Sequence, residues 1–244
     1  MDDVEAFFYQ HYAPNNAILS VAGNISLEET KRLVHKWYDA IPRRQIAIRN
    51  IPPLGKQISP AYLETEEDVP TTLIYRGYHT GGRLSDDYVV SDFVSDVLAN
   101  GDSSRINQKL VKEKKVFTYA NAYISGDIEA GMFYFVGKFS NGTTLSIANE
   151  ALDEVIEELK NDLVSDYETQ KLRNKFETKQ MTDYMVLMDF CSELAYFELL
   201  GDANWINDQV EQYRTVTSMM GRQFARDVFR KENCSTLFYK SKQH

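Results

Sequence analysis

The sequence predicts an α+β fold in which helices pack on one face of an antiparallel sheet. Two aromatic-rich segments, VFTYANAYIS and GMFYFVGKFS, flank the turn sequence GDIEA, a pattern typical of a β-hairpin. Amphipathic helical stretches occupy most of the chain after this hairpin. Because strands and helices do not alternate with the regular spacing of βαβ units, the pattern favours the α+β class.

The composition is that of a globular protein with an acidic balance. The chain has 244 residues, of which 43% are hydrophobic and 26% charged, and its formal net charge is −9. We expect no nucleic-acid partner, because phosphate contacts need a basic field. No run of about 18 apolar residues occurs, so no membrane partner is expected, and the acidic start MDDVEAFFYQHY lacks the apolar core of a signal peptide. The cellular compartment is left open.

A buried strand is predicted near the start of the chain, in the segment NAILSVAG, which Gly23 closes. Its large apolar residues are Ile18, Leu19 and Val21. The surrounding sequence YQHYAPNNAILSVAG places a helix end, an asparagine and then this strand, and VFRKENCSTLFYK repeats that order. This repeated order suggests that residues 1–50 form the end of one domain and residues 215–244 form the end of its duplicate.

A capped helix and a linker follow. Ser26 and Glu29 lie three residues apart as a capping box, and Pro42 stops the helix that they begin. One face of this helix carries Leu33, Val34, Trp37 and Tyr38. Residues 43–60 hold three prolines and keep no helical period, so they are predicted to be a linker.

Two strands and two helices are predicted between the linker and the hairpin. The strands are AYLETEE and TTLIYRGYHTG. Ser85 is the expected cap of a helix that Gly101 ends, and a second helix runs from about Ser104 to Lys114. The apolar stripe of the first helix consists of Val89, Val90, Phe93, Val94, Val97 and Leu98.

Helices and one strand are predicted after the hairpin. Ser165 with Glu168 forms another capping box, and Thr217 is the expected cap of the last helix, before the strand CSTLFYK. The helix before Ser165 has an acidic, solvated face and an apolar stripe of Leu152, Val155, Ile156, Leu159 and Leu163. Leu172 and Phe176 continue the apolar pattern in the following helix.

The chain lacks the common catalytic and metal-binding motifs. Its four histidines are His11, His35, His79 and His244, and none lies in an H-x-x-E-H or H-E-x-x-H sequence, so no zinc site can be built on one helix. No G-x-S-x-G and no P-loop occurs. Cys191 and Cys234 lie far apart in apolar contexts, which favours buried thiols, with a disulfide or a metal pair as the alternative.

Several segments together resemble the insulinase-type (M16) zinc peptidases. FFYQHYAPNNAILSVAGNISLEETKRLVHKWYDAIP is similar to the family pattern of an aromatic helix, Y-x-P-N-N-A-x-L-x-V-x-G and a helix that ends in I-P or L-P. GDSSRINQKLVKEKKVFTYANAY resembles the family's G-x-x-S-R-L-x-x-x-L-R-E-x-x-G-L-A-Y. DYETQKLRNKFE and YRTVTSMMGRQFARDVF resemble its late helices, so the resemblance covers essentially the whole chain.

The resemblance implies an M16 peptidase (LuxS/MPP-like) domain and a division of the chain. Residues 1–57 would be the tail of a preceding, catalytic-type domain with a linker, and residues 58–244 the second, non-catalytic domain. The H-x-x-E-H zinc site would belong to the missing N-terminal domain, so this chain would hold no zinc, no metal site and no catalytic residue, and should be inactive alone. A naturally short protein is the alternative to a piece of a longer one.

Two functions are compatible with this resemblance. The chain would help to enclose peptide or unfolded polypeptide substrate for hydrolysis by a zinc metalloendopeptidase. Alternatively, it would belong to a non-catalytic pseudo-peptidase subunit that binds peptides or scaffolds an active partner. Self-association through residues 1–50 is also expected, because an unpaired apolar strand invites pairing with another chain.

Lys112 and Tyr119 are the substrate-binding residues that the resemblance implies. In the family an arginine and a tyrosine seven residues later reach toward the substrate, and this chain keeps Tyr119 but has Lys112 in place of the arginine. Lysine keeps the charge and loses the planar fork that can make two parallel bonds. The alternative is a solvated lysine and an ordinary strand tyrosine. Arg105 also matches the family motif and is expected to have a structural role.

Overall fold

A five-stranded sheet and the helices beside it form most of the structure, a computed structural model that describes residues 1–46 and 50–242. The strands are β1 (Ala61–Glu67), β2 (Leu73–Gly81), β3 (Phe117–Ile124), β4 (Ala130–Phe139) and β5 (Cys234–Ser241). The α-helices are α1 (Asp2–His11), α2 (Leu27–Tyr38), α3 (Tyr88–Ala99), α4 (Leu145–Asn161), α5 (Asp166–Asp183), α6 (Leu187–Leu200), α7 (Gln209–Thr215) and α8 (Ser218–Val228). The α+β class is therefore confirmed.

The sheet has the strand order β1-β5-β2-β4-β3 and is mixed. β2, β4 and β3 are antiparallel neighbours, and β5 pairs antiparallel with β2, but β1 pairs parallel with β5. The prediction of a purely antiparallel sheet is wrong at this one pair. A parallel pair needs a long crossover, and the chain between β1 and β5 supplies it, whereas hairpin signals reveal only local antiparallel pairs.

The chain divides into two compact units. Met1–Pro52 and Glu177–Val210 form the helical unit, and Pro53–Phe176 and Glu211–His244 form the sheet unit. The helical unit has a small apolar cluster built on α6, with Phe197, Leu200 and Ile206 at its centre. The predicted division at residues 57 and 58 concerns domains of a longer protein and stays a prediction.

The core of the sheet unit lies on one face of the sheet. Side chains of β2 and β4 pack there against α3, α4 and α8, and the fully buried aromatic residues include Phe93, Phe117, Phe133, Phe135 and Tyr213. The Tyr213 hydroxyl donates to Asp96 Oδ2 at 2.7 Å, and its ring stacks on Phe176 with ring centres 4.1 Å apart. The opposite face of the sheet carries exposed side chains and is called the open face below.

A buried arginine fastens α4 to the sheet. Arg76 lies on the core side of β2 and is only 5% exposed. Its guanidinium donates to Asp153 Oδ1 at 2.5 Å and to Asn149 Oδ1 at 2.7 Å, both on α4. The ion pair at its head and the apolar contacts of its stem together fix α4 on the core face.

The helix caps largely follow the sequence. Ser26 accepts the backbone N–H of Glu29, Thr217 accepts that of Met220, and Ser165 accepts that of Glu168, as a cap residue should. Gly101 follows α3 with φ of +94°, a left-handed conformation that glycine adopts without strain.

Two local predictions are wrong, and a third is correct as a helix but differs in helix type. Ser85 does not cap α3, because its hydroxyl donates to the Gly82 carbonyl and to Asp87, and α3 begins only at Tyr88. Leu163 lies beyond the end of α4 and is 47% exposed, so it does not extend the apolar stripe. The helix expected up to Lys114 becomes π-helical over Asn107–Glu113, which the 3.6-residue period cannot distinguish from an α-helix.

The segment NAILSVAG is not a buried strand in this structure. Residues 17–22 belong to none of the strands in the described part of the chain, and Ile18, Leu19 and Val21 are 41%, 55% and 50% exposed. The apolar run favours a strand, but a strand forms only when neighbouring backbone supplies hydrogen-bond partners. No described segment pairs with residues 17–22.

Candidate functional site

Lys112 lies at the end of an unusual helical turn. It is exposed, and it occupies the last turn of the π-helical segment, where the Lys114 N–H bonds to the Lys109 carbonyl at 2.9 Å. Its amine donates to the backbone carbonyl of Asp102 at 3.2 Å. Lys115 follows with φ of +54°, so the chain leaves the helix through a left-handed residue before β3 begins.

Tyr119 lies on the open face of β3. The pairing of β3 with β4 shifts between Phe117 and Tyr119, a β-bulge that brings Tyr119 opposite Lys138. The Tyr119 side chain is 48% exposed, and the Lys138 amine lies 5.6 Å from the centre of its ring. This distance suits a cation–π contact.

The two predicted site residues therefore have different neighbours. Lys112 contacts the backbone carbonyl of Asp102, which precedes the helix, and Tyr119 contacts Lys138 across the hairpin. That both act on a substrate stays a prediction.

Sequence reasoning missed a group of tyrosines around Tyr119. Tyr123 lies four residues further along β3 on the same face, and its ring stacks on Tyr134 of β4 with centres 5.3 Å apart. Burial raises the pKa of Tyr123, and the nearby hydroxyls of Tyr75, Tyr134 and Tyr119 raise it further. The sequence FTYANAY contained the signal for this group. Tyr119 and Tyr123 are an even number of residues apart, and every second residue of a strand faces the same side.

A pocket of about 370 Å³ adjoins these tyrosines. Tyr75 and Tyr134 line this pocket, and Gly77, which has no side chain, forms the floor between the two rings. The other lining side chains on the open face include Leu63, Met132 and Leu237. The pocket is almost entirely apolar and is open to solvent, so it can take up one large apolar group.

A larger cavity of about 890 Å³ lies among polar groups that the fold already uses. Glu64 there is paired with Lys240, and the Thr72 hydroxyl accepts the N–H of Ser241 at 3.2 Å. The lining of this cavity is mainly polar, and these contacts show that part of it is engaged within the fold.

Arg105 has a structural contact, as expected. Its guanidinium donates to both carboxylate oxygens of Glu168, at 3.3 and 3.0 Å, and both side chains are largely buried. This paired geometry fixes the segment after α3 to the start of α5.

The described residues include no group of three or more histidine, cysteine, aspartate or glutamate side chains that could hold a metal ion. His35 instead contacts Asp39 at 3.0 Å, and His244 lies outside the described residues. Cys191 and Cys234 are free and half-buried. In the described part of the chain no helix has both the length and the apolar character needed to cross a bilayer.

Two curated proteins resemble the chain in sequence. The zinc protease PqqE of Helicobacter pylori is 22% identical over 255 residues, which cover 98% of this chain and 55% of that protein. The uncharacterized zinc protease YmxG of Bacillus subtilis is 23% identical over 74% of this chain and 43% of that protein. The chain therefore spans about half the length of the curated relatives that it matches.

Solved structures share the fold. A protease from Helicobacter pylori superposes with a TM-score of 0.90 at 20% identity, covering 98% of this chain and 59% of that one. A peptidase M16 inactive domain from Pseudomonas fluorescens superposes with a TM-score of 0.82 at 14% identity, covering all of this chain and 57% of that one. The sequence profile described as the peptidase M16 inactive domain matches residues 1–176. The chain belongs to the M16 peptidase family, as the inactive-domain type.

Proposed function

We propose that this chain is the substrate-enclosing part of a zinc-dependent M16 metalloendopeptidase. It binds extended peptide or unfolded polypeptide, with Tyr119 on the open face of the sheet and Lys112 in the last turn of the preceding helix as proposed contacts. Hydrolysis takes place at a zinc site in a separate N-terminal domain, a placement supported by the lack of any clustered group of three or more metal-ligating side chains among the described residues of this chain. Names of relatives as zinc proteases support the reaction class.

The observation that carries this proposal is the exposed tyrosine group on the open face. Tyr119 and Tyr123 are 48% and 42% exposed and lie on one face with Tyr134 and the apolar pocket, and a contiguous exposed apolar patch of this kind is typical of a binding surface. A tyrosine has an apolar ring for side chains and a hydroxyl that can donate to a peptide carbonyl. Such residues suit a surface that must hold peptides of varied sequence.

A structural arrangement that occurs twice in the chain supports the need for a preceding domain. Asn233 follows α8 in a short 3₁₀ turn and donates to the Val228 carbonyl, five residues back, at 2.9 Å. Asn16 follows α1 in a similar turn and donates to the His11 carbonyl, also five residues back, at 2.8 Å. Asn233 has a second acceptor, the His79 carbonyl of β2, at 3.0 Å.

The segment after Asn16 would complete another sheet. After Asn233 the chain becomes β5, which lies between two strands, whereas residues 17–22 remain unpaired and exposed in the described part of the chain. By this analogy, residues 17–22 form a strand in the sheet of the preceding domain, and that domain is the partner of this chain.

A non-catalytic peptide-binding or scaffolding subunit is the second candidate. The exchange of the family's arginine for Lys112 favours it, because the amine bonds to the Asp102 carbonyl and cannot form a planar fork on a substrate. In that case the chain would bind peptides beside an active partner.

The test is steady-state kinetics of the complete protein with a quenched fluorescent peptide. Tyr119→Phe should lower turnover about ten- to a hundredfold, since a hydrogen bond to a charged oxygen is worth about 1.5–3 kcal/mol. Lys112→Ala should raise KM, and Lys112→Arg should keep or raise activity. Wild-type kinetics in Tyr119→Phe and Lys112→Ala would refute the assigned roles, and peptide binding without any turnover in the complete protein would favour the second candidate.

A further inference from the structure

Two asparagines in the chain are followed directly by glycine, Asn100 before Gly101 and Asn141 before Gly142. This dipeptide is especially prone to spontaneous deamidation, because glycine has no Cβ to obstruct the approach of its own backbone nitrogen to the preceding side chain. Asparagine is for this reason a thermolabile residue. The structure gives the two pairs opposite surroundings, so that each serves as a reference for the other.

Asn141 lies in an exposed turn between β4 and α4. Within the described part of the chain, its side-chain amide has no hydrogen-bond partner, and neither has the backbone N–H of Gly142. Gly142 has φ of +82°, and beyond its chain neighbours no atom lies within 4 Å of the place that a Cβ would occupy. The turn accounts for the glycine, since a positive φ favours it, and leaves the amide beside it free to react.

Asn100 is half-buried just after α3, and both ends of its side-chain amide are held. Its Nδ2 donates to Asp96 Oδ1 at 2.6 Å, and its Oδ1 accepts a bond from the Lys175 amine at 2.5 Å. The N–H of Gly101 donates to the Ala99 carbonyl at 2.9 Å. Here neither the group that would be attacked nor the attacking nitrogen is free.

We propose that Asn141 is a site of spontaneous deamidation in the folded protein, and that the fold protects Asn100 from the same reaction. The modification needs no partner other than water. This inference is independent of the proposed function, because it concerns the chemistry of one turn and not the binding of peptides.

The reaction has two steps. The backbone nitrogen of Gly142 attacks Cγ of Asn141, and the new bond closes a succinimide ring. The bond from Cγ to Nδ2 breaks, and Nδ2 leaves as ammonia with the proton that the backbone nitrogen gives up. Water then opens the ring at either carbonyl. Opening at Cγ gives aspartate, and opening at the main-chain carbonyl gives isoaspartate, in which the backbone runs through the former side chain.

Both products change the turn that ties α4 to the start of β3. The Val116 carbonyl accepts the N–H of Ser140 at 3.0 Å and the hydroxyl of Thr143 at 2.9 Å. Isoaspartate lengthens the backbone by one atom between these two donors, and either product adds a negative charge to a chain whose net charge is −9. The modified protein should therefore be more acidic and should show altered amide chemical shifts near Val116.

The test is to age this chain in mildly alkaline buffer, where the attacking nitrogen loses its proton more readily. Ion-exchange chromatography follows the acidic species, and peptide mapping by mass spectrometry assigns the site. In the folded protein, Asn141 should be converted to aspartate and isoaspartate. Asn100 should react more slowly by about tenfold or more, because hydrogen bonds to charged groups must open first. In urea the two sites should react at comparable rates.

Variants connect the rates to the residues. Asn141→Gln should remove the acidic species, since its longer side chain closes a ring far more slowly, and the matched Asn100→Gln should leave that species unchanged. Lys175→Met removes one bond to Asn100 and should raise the rate there about two- to tenfold. Thermal melts by circular dichroism establish that each variant is folded.

Selective conversion of Asn141, abolished in Asn141→Gln, supports the inference. Equal rates at Asn141 and Asn100 in the folded protein overturn it, and so does conversion of Asn141 in urea alone. An unchanged rate at Asn100 in folded Lys175→Met contradicts the assigned cause of its protection.

Discussion

Gly137→Ala should destabilise the sheet unit and disturb the surface around Tyr119. Gly137 lies on the core side of β4, directly beneath the ring of Phe117. A Cβ at this position would lie 2.5, 2.6 and 3.0 Å from three atoms of that ring. Phe117 is only 1% exposed and contacts Phe139 with ring centres 5.8 Å apart, so the ring has no room to move away.

The expected cost follows from two opposing terms. Alanine gains about 0.5–1 kcal/mol over glycine inside a strand, because the unfolded chain loses freedom. Overpacking a rigid core costs about 1–3 kcal/mol. The net loss of unfolding free energy should therefore lie between about 0 and 2.5 kcal/mol, and we expect the upper half of this range because the ring is rigidly packed; each kcal/mol lowers Tm by about 2–4 °C. Since the β-bulge begins at Phe117, a displaced ring should also shift Tyr119 relative to Lys138.

Gly77→Ala is the matched control. Its new Cβ also meets a neighbour closely, at 2.7 Å, but that neighbour is the flexible end of Met132. Urea unfolding followed by circular dichroism should give this variant a stability within about 0.5 kcal/mol of wild type. Amide chemical shifts around Tyr119 should change in Gly137→Ala and stay in place in the control. Equal stabilities of the two variants would refute the argument from ring contact.

The remaining predictions concern stability and metal content. Tyr213→Phe should lower the free energy of unfolding by about 1–3 kcal/mol in urea melts, because Asp96 loses a buried hydrogen bond; an unchanged midpoint would contradict this. Burial, and secondly the nearby Asp96, raise the pKa of Tyr213 above its ordinary value. The contribution of the Tyr213 hydroxyl to the free energy of unfolding is therefore fully present below about pH 10 and is lost as the pH rises further. Stability should fall less steeply at alkaline pH in Tyr213→Phe than in the wild type. Identical profiles of stability against pH in the two proteins would contradict this role of Tyr213. Lys115→Gly should stabilise the protein by about 0.5–1 kcal/mol, since glycine tolerates its positive φ, while Lys114→Gly should destabilise it by about 1 kcal/mol. Thermal melts that rank these two variants the other way would exclude strain at Lys115. Metal analysis after dialysis should find no stoichiometric zinc in this chain, and a peptide assay no turnover; about one zinc per chain, or cleavage that a chelator stops, would contradict this.

The local sequence was sufficient where structure depends on neighbours in the chain. The hairpin of β3 and β4 follows from two aromatic runs and a turn, and the cap at Ser26 follows from residues three apart. The parallel pair of β1 and β5 was missed because its residues are far apart in sequence and no local pattern specifies their register. The π-helical turn before Lys115 was missed because its apolar spacing resembles that of an α-helix.

The candidate site was predicted only in part for the same reason. Tyr119 came from the family resemblance, and its place on the open face follows from strand alternation. Lys138 was missed because the bulge that brings it opposite Tyr119 changes the register by one residue. Tyr75 was missed because it joins the group through the order of strands in the sheet, which the sequence does not reveal.

The position of β5 between β1 and β2 has a consequence for how the protein is made. Ala61 pairs with Ser235, so β1 emerges from the ribosome long before its partner exists. At about 5–20 residues per second, the delay lasts roughly ten to thirty seconds. Once β3 and β4 have emerged, β4 can pair with both β3 and β2, but the other edge of β2 stays open and β1 has no neighbour. The nascent chain should therefore keep these strand edges unpaired for this interval, and its sheet should be completed only when β5 inserts between β1 and β2.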